Sequence, residues 1–413
     1  MTFESWWLIF LPLLFGLGWL AARIDFRHML SESRNLPDSY FKGLNFLLNE
    51  QPDRAIDAFV EVAKLDPETT ELHFALGNLF RRRGEMERAI RVHQSLLSRA
   101  DLPSREREHA LHEIAQDYLK AGMLDRAELA YKELKNTRYQ EQAARALVRI
   151  YESEHDWLKA IEAVRRLSKL TEESVPQLVH YYCEIAQGHL MRQSPEFDNA
   201  RAALNEAGKT IGQSGDPTAA SRARVLMLEA TMARIAGDPK LERHYLLLLL
   251  DQAPEYAGLI AADLQNNFVA THEEAQLLSR LADHYQQHPL LDLFGVVFRL
   301  TWLEQGRQAA WSFAQSALSA QPSLLGLERA LGAQALAMRD GATLNEATHE
   351  VDTQSNGGLV SLDLLKRLVD RHTQRLDRYS CRVCGFQARA FYWQCPGCHG
   401  WETYSPHRVE EQQ

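Results

Sequence analysis

Apolar residues recur along most of the chain at three- and four-residue spacing, the pattern of amphipathic helices. A longer period is laid over it. Gly43 and Gly77 stand 34 residues apart, and so do Ala55 and Ala89. That interval is the period of tetratricopeptide repeats, each a pair of antiparallel helices. The first unit reads Gly43, Phe46, Ala55, Phe59, Leu65 and Pro67, and the second Leu76, Gly77, Phe80, Gly84 and Ala89. A third runs through Ile114, Ala115, Tyr118, Gly122, Ala127 and Tyr131, and a fourth through Leu147, Tyr151, Ala160 and Val164. Weaker units follow at Ile185, Ala186 and Ala200, at Ala230, Gly237 and Pro254, and from Gly306 through Ala310, Ala314 and Ala317 to Pro322.

The marker alanines fall at positions 55, 89, 127, 160 and 200, so the intervals are 34, 38, 33 and 40 residues. Insertions in turns, such as residues 101–104, account for the drift. The small residues sit where two helices approach closely, and the larger apolar ones interlock. A stack of such hairpins buries one continuous core and leaves a face for a peptide or protein segment. A Gly-rich break is expected at residues 352–358, followed by an amphipathic helix carrying Leu359, Leu362, Leu365 and Leu368.

The start of the chain departs from this pattern. Residues 5–22 carry no charge and are apolar on every face. As a helix they would span roughly 27 Å, close to the hydrocarbon thickness of a bilayer. Trp6 and Trp7 mark one end and Trp19 the other, as interfacial aromatics do. A cleaved signal peptide would need positive charge before its apolar core, and here Arg23, Arg27 and Arg34 come after it. The expected element is a transmembrane anchor, with the bulk of the chain on the cytoplasmic side.

Composition adds limits. The net charge of −9 argues against a bulk nucleic-acid binder, and 24% charged residues are ordinary for a globular protein. No metalloprotease helix, phosphate-binding loop, dinucleotide fingerprint or nucleophile elbow occurs in the sequence. The run Arg81-Arg82-Arg83 ends a repeat helix and is expected as a solvated charge cluster, with acidic lipid headgroups or an acidic partner as the functional alternative.

Chemistry concentrates at the end of the chain. Four of the five cysteines form Cys381-x2-Cys384-x10-Cys395-x2-Cys398. Two such pairs this close are the signature of a tetrahedral metal site. Cys384-Gly385 and Cys395-Pro396-Gly397-Cys398 resemble the knuckles of rubredoxins and zinc ribbons. The expected occupant is one zinc or iron ion, zinc being preferred, in a closed structural site. His399 is not needed, since four sulfurs complete the shell. Phe386, Phe391, Tyr392, Trp393 and Trp401 surround the quartet. They are expected to cover it, a domain this small having little other core; a protein-docking surface or base stacking with Arg382 and Arg389 are the alternatives. Cys183 lies in a helical pattern and is expected as a small core residue. Four metal-binding thiols favour a reducing compartment.

The expected fold is therefore all-α. Residues 1–22 form the transmembrane anchor and 23–35 a juxtamembrane segment. Residues 36–370 form a tetratricopeptide-repeat superhelix of about nine helical hairpins. Residues 371–413 form a small rubredoxin-like four-cysteine metal domain.

An opening Trp6-Trp7 anchor, repeats from Gly43 to Pro67 and Leu76 to Ala89, and Tyr379-x-Cys381-x2-Cys384-Gly385 with Cys395-Pro396-x-Cys398 occur in this order in one family. Over its whole length the chain resembles the lipopolysaccharide assembly protein B family of Gram-negative bacteria. The ten-residue gap is shorter than in free-standing rubredoxins, so an electron-transfer role does not carry over. The resemblance implies an adaptor, not an enzyme, at the cytoplasmic face of the inner membrane. It would promote degradation of the deacetylase LpxC by the membrane AAA+ protease FtsH. The implied partners include an inner-membrane lipopolysaccharide-sensing regulator and other lipopolysaccharide-assembly proteins; nucleic acid is not among them. The alternative is a scaffold that gathers lipopolysaccharide-synthesis enzymes without delivering anything to a protease.

Overall fold

Small residues at a fixed period, with large ones between them, make helices pack in consecutive pairs. The computed structural model describes residues 38–49, 51–65, 70–172, 175–213, 218–345, 367–369 and 371–412, together with Trp19. The expected anchor apart from Trp19, the juxtamembrane arginines, the break at 352–358 and the last helix up to residue 366 lie outside the described residues. Among the described residues no helix is long and apolar enough to cross a membrane. The described chain is mostly helical, with a short cysteine-bearing domain at its end, and divides into two compact units, residues 1–155 and 156–413.

The first unit contains α1 (Asp38–Leu48), α2 (Pro52–Leu65), α3 (Thr70–Arg82), α4 (Met86–Leu97), α5 (Ser104–Lys120), α6 (Leu124–Glu133) and α7 (Gln140–Glu154). Each helix packs on the next, and α3 also packs on α5, so neighbouring hairpins stack. The period explains why. A Cβ on Gly43 would lie 2.6 Å from the ring of Phe59, and one on Gly77 would lie 2.3 Å from the ring of His93. Phe59 and His93 are themselves 34 residues apart. The same glycine thus admits the same ring in successive repeats. The marker alanines Ala55, Ala89, Ala127, Ala160 and Ala200 are all fully buried.

His93 puts a polar ring where the first repeat has phenylalanine, and a buried polar group must find partners. Its Nδ1 lies 2.6 Å from Oδ2 of Asp117, itself fully buried. Asp117 also accepts from Arg81 Nη1 at 2.9 Å, and Arg81 pairs with Glu113. Arg81 therefore leaves the solvated cluster expected from the sequence, while Arg82 and Arg83 stay at the surface. Arg81 lies about one turn on from Gly77, on the face turned to α4 and α5, and is buried. Arg82 is exposed, and Arg83 reaches Asp53 at 2.5 Å and Glu85 at 3.1 Å.

Burial alone raises the Glu113 carboxyl, but hydrogen bonds from His109 and Arg81, with the Arg81 charge, outweigh it and hold Glu113 down at about 2. A depressed carboxylate contributes stability above its ordinary range, and that contribution is lost as pH falls toward the folded value. Arg81→Ala leaves two buried carboxylates without their cation. It should lower unfolding free energy by about 3 kcal/mol and move acid unfolding to higher pH. Urea and acid titrations followed by circular dichroism check both; an unchanged acid midpoint contradicts the network.

The second unit contains α8 (Trp157–Thr171), α9 (Gln177–Leu190), α10 (Phe197–Gln213), α11 (Ala219–Ile235), α12 (Pro239–Gln252), α13 (Ala257–Ala270), α14 (Glu274–Gln287), α15 (Leu291–Gln305), α16 (Arg307–Ala320) and α17 (Leu324–Asn345). Here α9 meets α11, α13 meets α15, and α15 meets α17, in addition to the sequential pairs. The first helices of successive hairpins therefore share one face. Cys183 on α9 is fully buried and its thiol is pushed up to about 12 by that burial, as a core residue requires.

Candidate metal centre and its dock on the repeats

Two tight turns bring the four cysteines together. The strands β1 (Tyr379–Ser380) and β2 (Gln387–Ala388) pair antiparallel, with Tyr379 opposite Ala388 and Ser380 opposite Gln387. Isolated bridges join Cys381 to Tyr404 and Gln394 to Trp401. Between the strands, the Gly385 N–H donates to the Cys381 carbonyl at 3.0 Å, and in the second turn the His399 N–H donates to the Cys395 carbonyl at 2.8 Å. Each turn needs a left-handed residue just after its second cysteine. Gly385 supplies φ +74° in the first, and His399 takes φ +57° in the second.

The four Sγ atoms all lie within 4.8 Å of one another. Cys381 and Cys398 are 3.8 Å apart, Cys384 and Cys395 3.6 Å. A tetrahedral ion at about 2.3 Å from each sulfur sets sulfur–sulfur distances of about 3.8 Å, so the residues present fit a metal ion. Burial raises the Cys381 thiol, but hydrogen bonds from Thr403 and from the Cys384 and Val383 N–H groups outweigh it and bring it down to about 6. Burial pushes Cys395 the other way, up to about 12, although the Cys398 and Gly397 N–H groups favour its thiolate. Cys381 and Cys395 are buried, whereas Cys384 is exposed.

The aromatic residues divide between two tasks. Val383, Phe386 and Tyr392 are exposed on the ribbon. Phe391 and Trp393 instead join the core formed by α11 to α15. Trp393 stacks on Tyr256, with centroids 5.8 Å apart, and Phe391 meets the same ring edge-on. Trp401 stacks on the fully buried His180 of α9 at 5.1 Å and meets Trp157 and Tyr181 edge-on. These aromatics therefore pack on the chain's own repeats, and Phe391 also covers Cys381 and Cys395 as expected.

One carboxylate organises this contact. Glu402, in the left-handed region at φ +55°, accepts from His180 Nε2, Thr218 Oγ1 and Ser221 Oγ, each at 2.7 Å. Arg224 Nη1 donates to His180 Nδ1 at 3.2 Å. That assigns His180 as neutral with its proton on Nε2, aimed at Glu402. Burial holds the His180 pKa below its ordinary value, in agreement. The Arg224 guanidinium lies 5.6 Å from both the Trp393 and Trp401 rings and pairs with Glu184.

The far end of the ribbon is held by ions and caps. Arg408 reaches Asp292 at 3.0 Å and Asp377 at 3.1 Å and lies over the Tyr379 ring. Arg329 of α17 pairs with the same two aspartates. The short helix Val409–Gln412 then places two carboxylates on helix starts. Glu411 accepts from the Leu291 N–H of α15 at 2.8 Å. Glu410 accepts from the Leu324 and Leu325 N–H groups of α17, at 2.8 and 3.0 Å, and from Ser323. These N–H groups have no partner within their own helices, and the dipole favours an anion there.

The sequence brought out the quartet and the aromatics but not His180, Arg224, Glu402, Glu410 or Glu411. His180 and Glu402 are 222 residues apart, one of sixteen histidines and one of 55 acidic residues. No local pattern joins them. The only early signal was Trp401, an aromatic beside the quartet larger than its own small core can enclose.

Cys381→Ser should remove stoichiometric metal and release the ribbon, while the repeat helices keep their circular dichroism signal. Metal analysis by mass spectrometry decides it: a variant that still binds one ion per chain has a different ligand set.

Residues 379–406 match the family model described as a rubredoxin metal binding domain. The chain is 30% identical over 403 residues to lipopolysaccharide assembly protein B of Escherichia coli (strain K12), covering 97% of each chain. It is 28% identical over 412 residues to the protein of that name from Haemophilus influenzae, covering 96% of this chain and 97% of the relative. Among solved structures, the C-terminal part of a TPR repeat-containing protein from Cytophaga hutchinsonii aligns at a TM-score of 0.36 and 14% identity, covering 59% of this chain and 94% of that one.

Proposed function

The chain belongs to the lipopolysaccharide assembly protein B family, and we propose that it regulates lipopolysaccharide synthesis as a membrane-tethered adaptor that acts by binding. In this reading it brings the deacetylase LpxC to the membrane AAA+ protease FtsH. An inner-membrane lipopolysaccharide-sensing regulator opposes that action, and other lipopolysaccharide-assembly proteins bind the same array. The observation that carries the reading is the coverage: the likeness runs through 97% of both chains, so repeats and metal domain are held in common in one order. The dock supports it, because a ribbon fixed on stacked hairpins makes a rigid recognition surface.

Residues 5–22 serve as the tether, with the repeats on the cytoplasmic side of the inner membrane. Confining adaptor and protease to one surface raises their effective concentration without requiring a tight contact. Cys381, Cys384, Cys395 and Cys398 hold zinc in preference to iron. The ion's contribution is structural: it neutralises the thiolates and fixes both turns, so that Trp393, Trp401 and Glu402 project from one ribbon.

Depleting the protein should lengthen the half-life of LpxC several-fold. Full-length protein should restore rapid turnover, and a form lacking residues 1–22 should restore it poorly. Pulse–chase immunoblotting reads both. An unchanged half-life contradicts delivery and favours a scaffold that gathers synthesis enzymes.

A further inference from the structure

A short helix leads into the ribbon. Residues 367–369 and 371–373 are helical, and the Asp377 N–H donates to the Thr373 carbonyl at 2.9 Å. That bond spans four residues, so the helical winding continues past Arg375. At about 100° per residue, Arg367, Leu368, Arg371, His372 and Arg375 fall within one arc of about 140°. Burial agrees with this count. All five are exposed, whereas Thr373 is buried and Val369 and Leu376 are half-buried on the other side.

Charge distinguishes this face from the rest of an acidic chain. Residues 366–378 hold five cations, Lys366 and four arginines, against Asp370 and Asp377. Asp377 is engaged by Arg329 and Arg408. Among the described residues, Arg367, Arg371 and Arg375 pair with no carboxylate. The face is also apolar at its centre. Leu368 is 56% exposed between the arginines. In sequence, Leu364 and Leu365 stand four and three residues before it, the spacing of one helix face. A leucine among arginines suits a surface that is anionic outside and hydrocarbon just beneath. There the guanidinium heads stay at the phosphates while their stems and the leucine reach below.

We propose that this face binds the surface of an anionic bilayer, as a second membrane contact of the chain. Arg367, Arg371 and Arg375 meet lipid phosphates, and Leu368 enters below them. The proposal goes beyond the tether at residues 5–22 and involves neither the ion nor a protein partner. The two contacts differ in kind. An uncharged span is held by hydrocarbon whatever the headgroups, whereas this face needs their negative charge. Anionic lipid then decides whether the C-terminal part of the chain rests on the membrane.

The test uses full-length protein with nanodiscs of neutral phosphatidylcholine, or of its equal mixture with phosphatidylglycerol. Incorporation into neutral discs reports the tether alone, and the anionic effect is readable whether or not the chain is incorporated, so the two readings can fail separately. Hydrogen–deuterium exchange at residues 367–376 should slow by about tenfold in anionic discs relative to neutral ones. Salt at about 1 M should abolish the difference. Arg371→Glu combined with Arg375→Glu should abolish it too, and Leu368→Ser should weaken it. Arg307→Glu, at an exposed arginine on α16, should leave it unchanged. The proposal is overturned if exchange is the same in both discs, or if Arg307→Glu removes the effect as fully as the arginine pair. It is overturned if the effect ignores the arginine pair or the leucine change while metal content and circular dichroism are intact. It is equally overturned if polyglutamate added to neutral discs slows the segment as strongly, since that assigns the face to an acidic protein.

Discussion

The dock of the ribbon on the second unit turns on one partly buried carboxylate. Glu402 is carried by the ribbon, yet its three side-chain donors come from α9, from α11 and from the residue that caps α11. A carboxylate drawn out of water costs several kcal/mol unless hydrogen bonds replace its lost hydration, and here three donors converge on one of its oxygens, Oε1. Partial engagement would leave a partly buried charge short of donors. Docking of the ribbon is therefore held to one register. The rings of Trp393 and Trp401 add apolar area on either side of that anchor, and Arg224 over both rings ties the apolar contact to the ionic one.

The exchange is mutual. A module this short cannot bury enough apolar surface to be stable alone, which is why such modules use a metal or a partner surface. This one has both. In return it supplies Glu411 to the start of α15, which has no side-chain cap of its own, Glu410 to the start of α17 beside the Ser323 cap, and Arg408 to Asp292. The last hairpins are thus finished by residues from the far end of the chain. A change at the cysteines would be felt at α15 and α17 through these contacts, with no need for the ion to touch the helices.

The repeat architecture was legible because packing imposes it on the sequence. Gly43 and Gly77 had to be small for Phe59 and His93 to enter, and the period records that need. The cysteine quartet was legible because ligand spacing is local. Arg81 was misread for the opposite reason: its surroundings in sequence are those of a solvated helix end, and its partners Glu113 and Asp117 lie on another helix. The acidic pair Glu410-Glu411 likewise carries no local mark of its role, because the helix starts it binds lie far away in sequence. Contacts across more than a hundred residues leave no period, so Glu402 and His180 could be found only in three dimensions.

The central claim is that the metal-shaped ribbon completes the second unit by docking on its repeats. Hydrogen–deuterium exchange of the full-length chain, before and after metal removal, tests it most directly. The account predicts that chelation exposes the amides of Leu291, Leu324 and Leu325 and the segment around His180, while the amides of α3 to α5 keep their protection. Unchanged exchange at those four places, with the metal demonstrably gone, would contradict it.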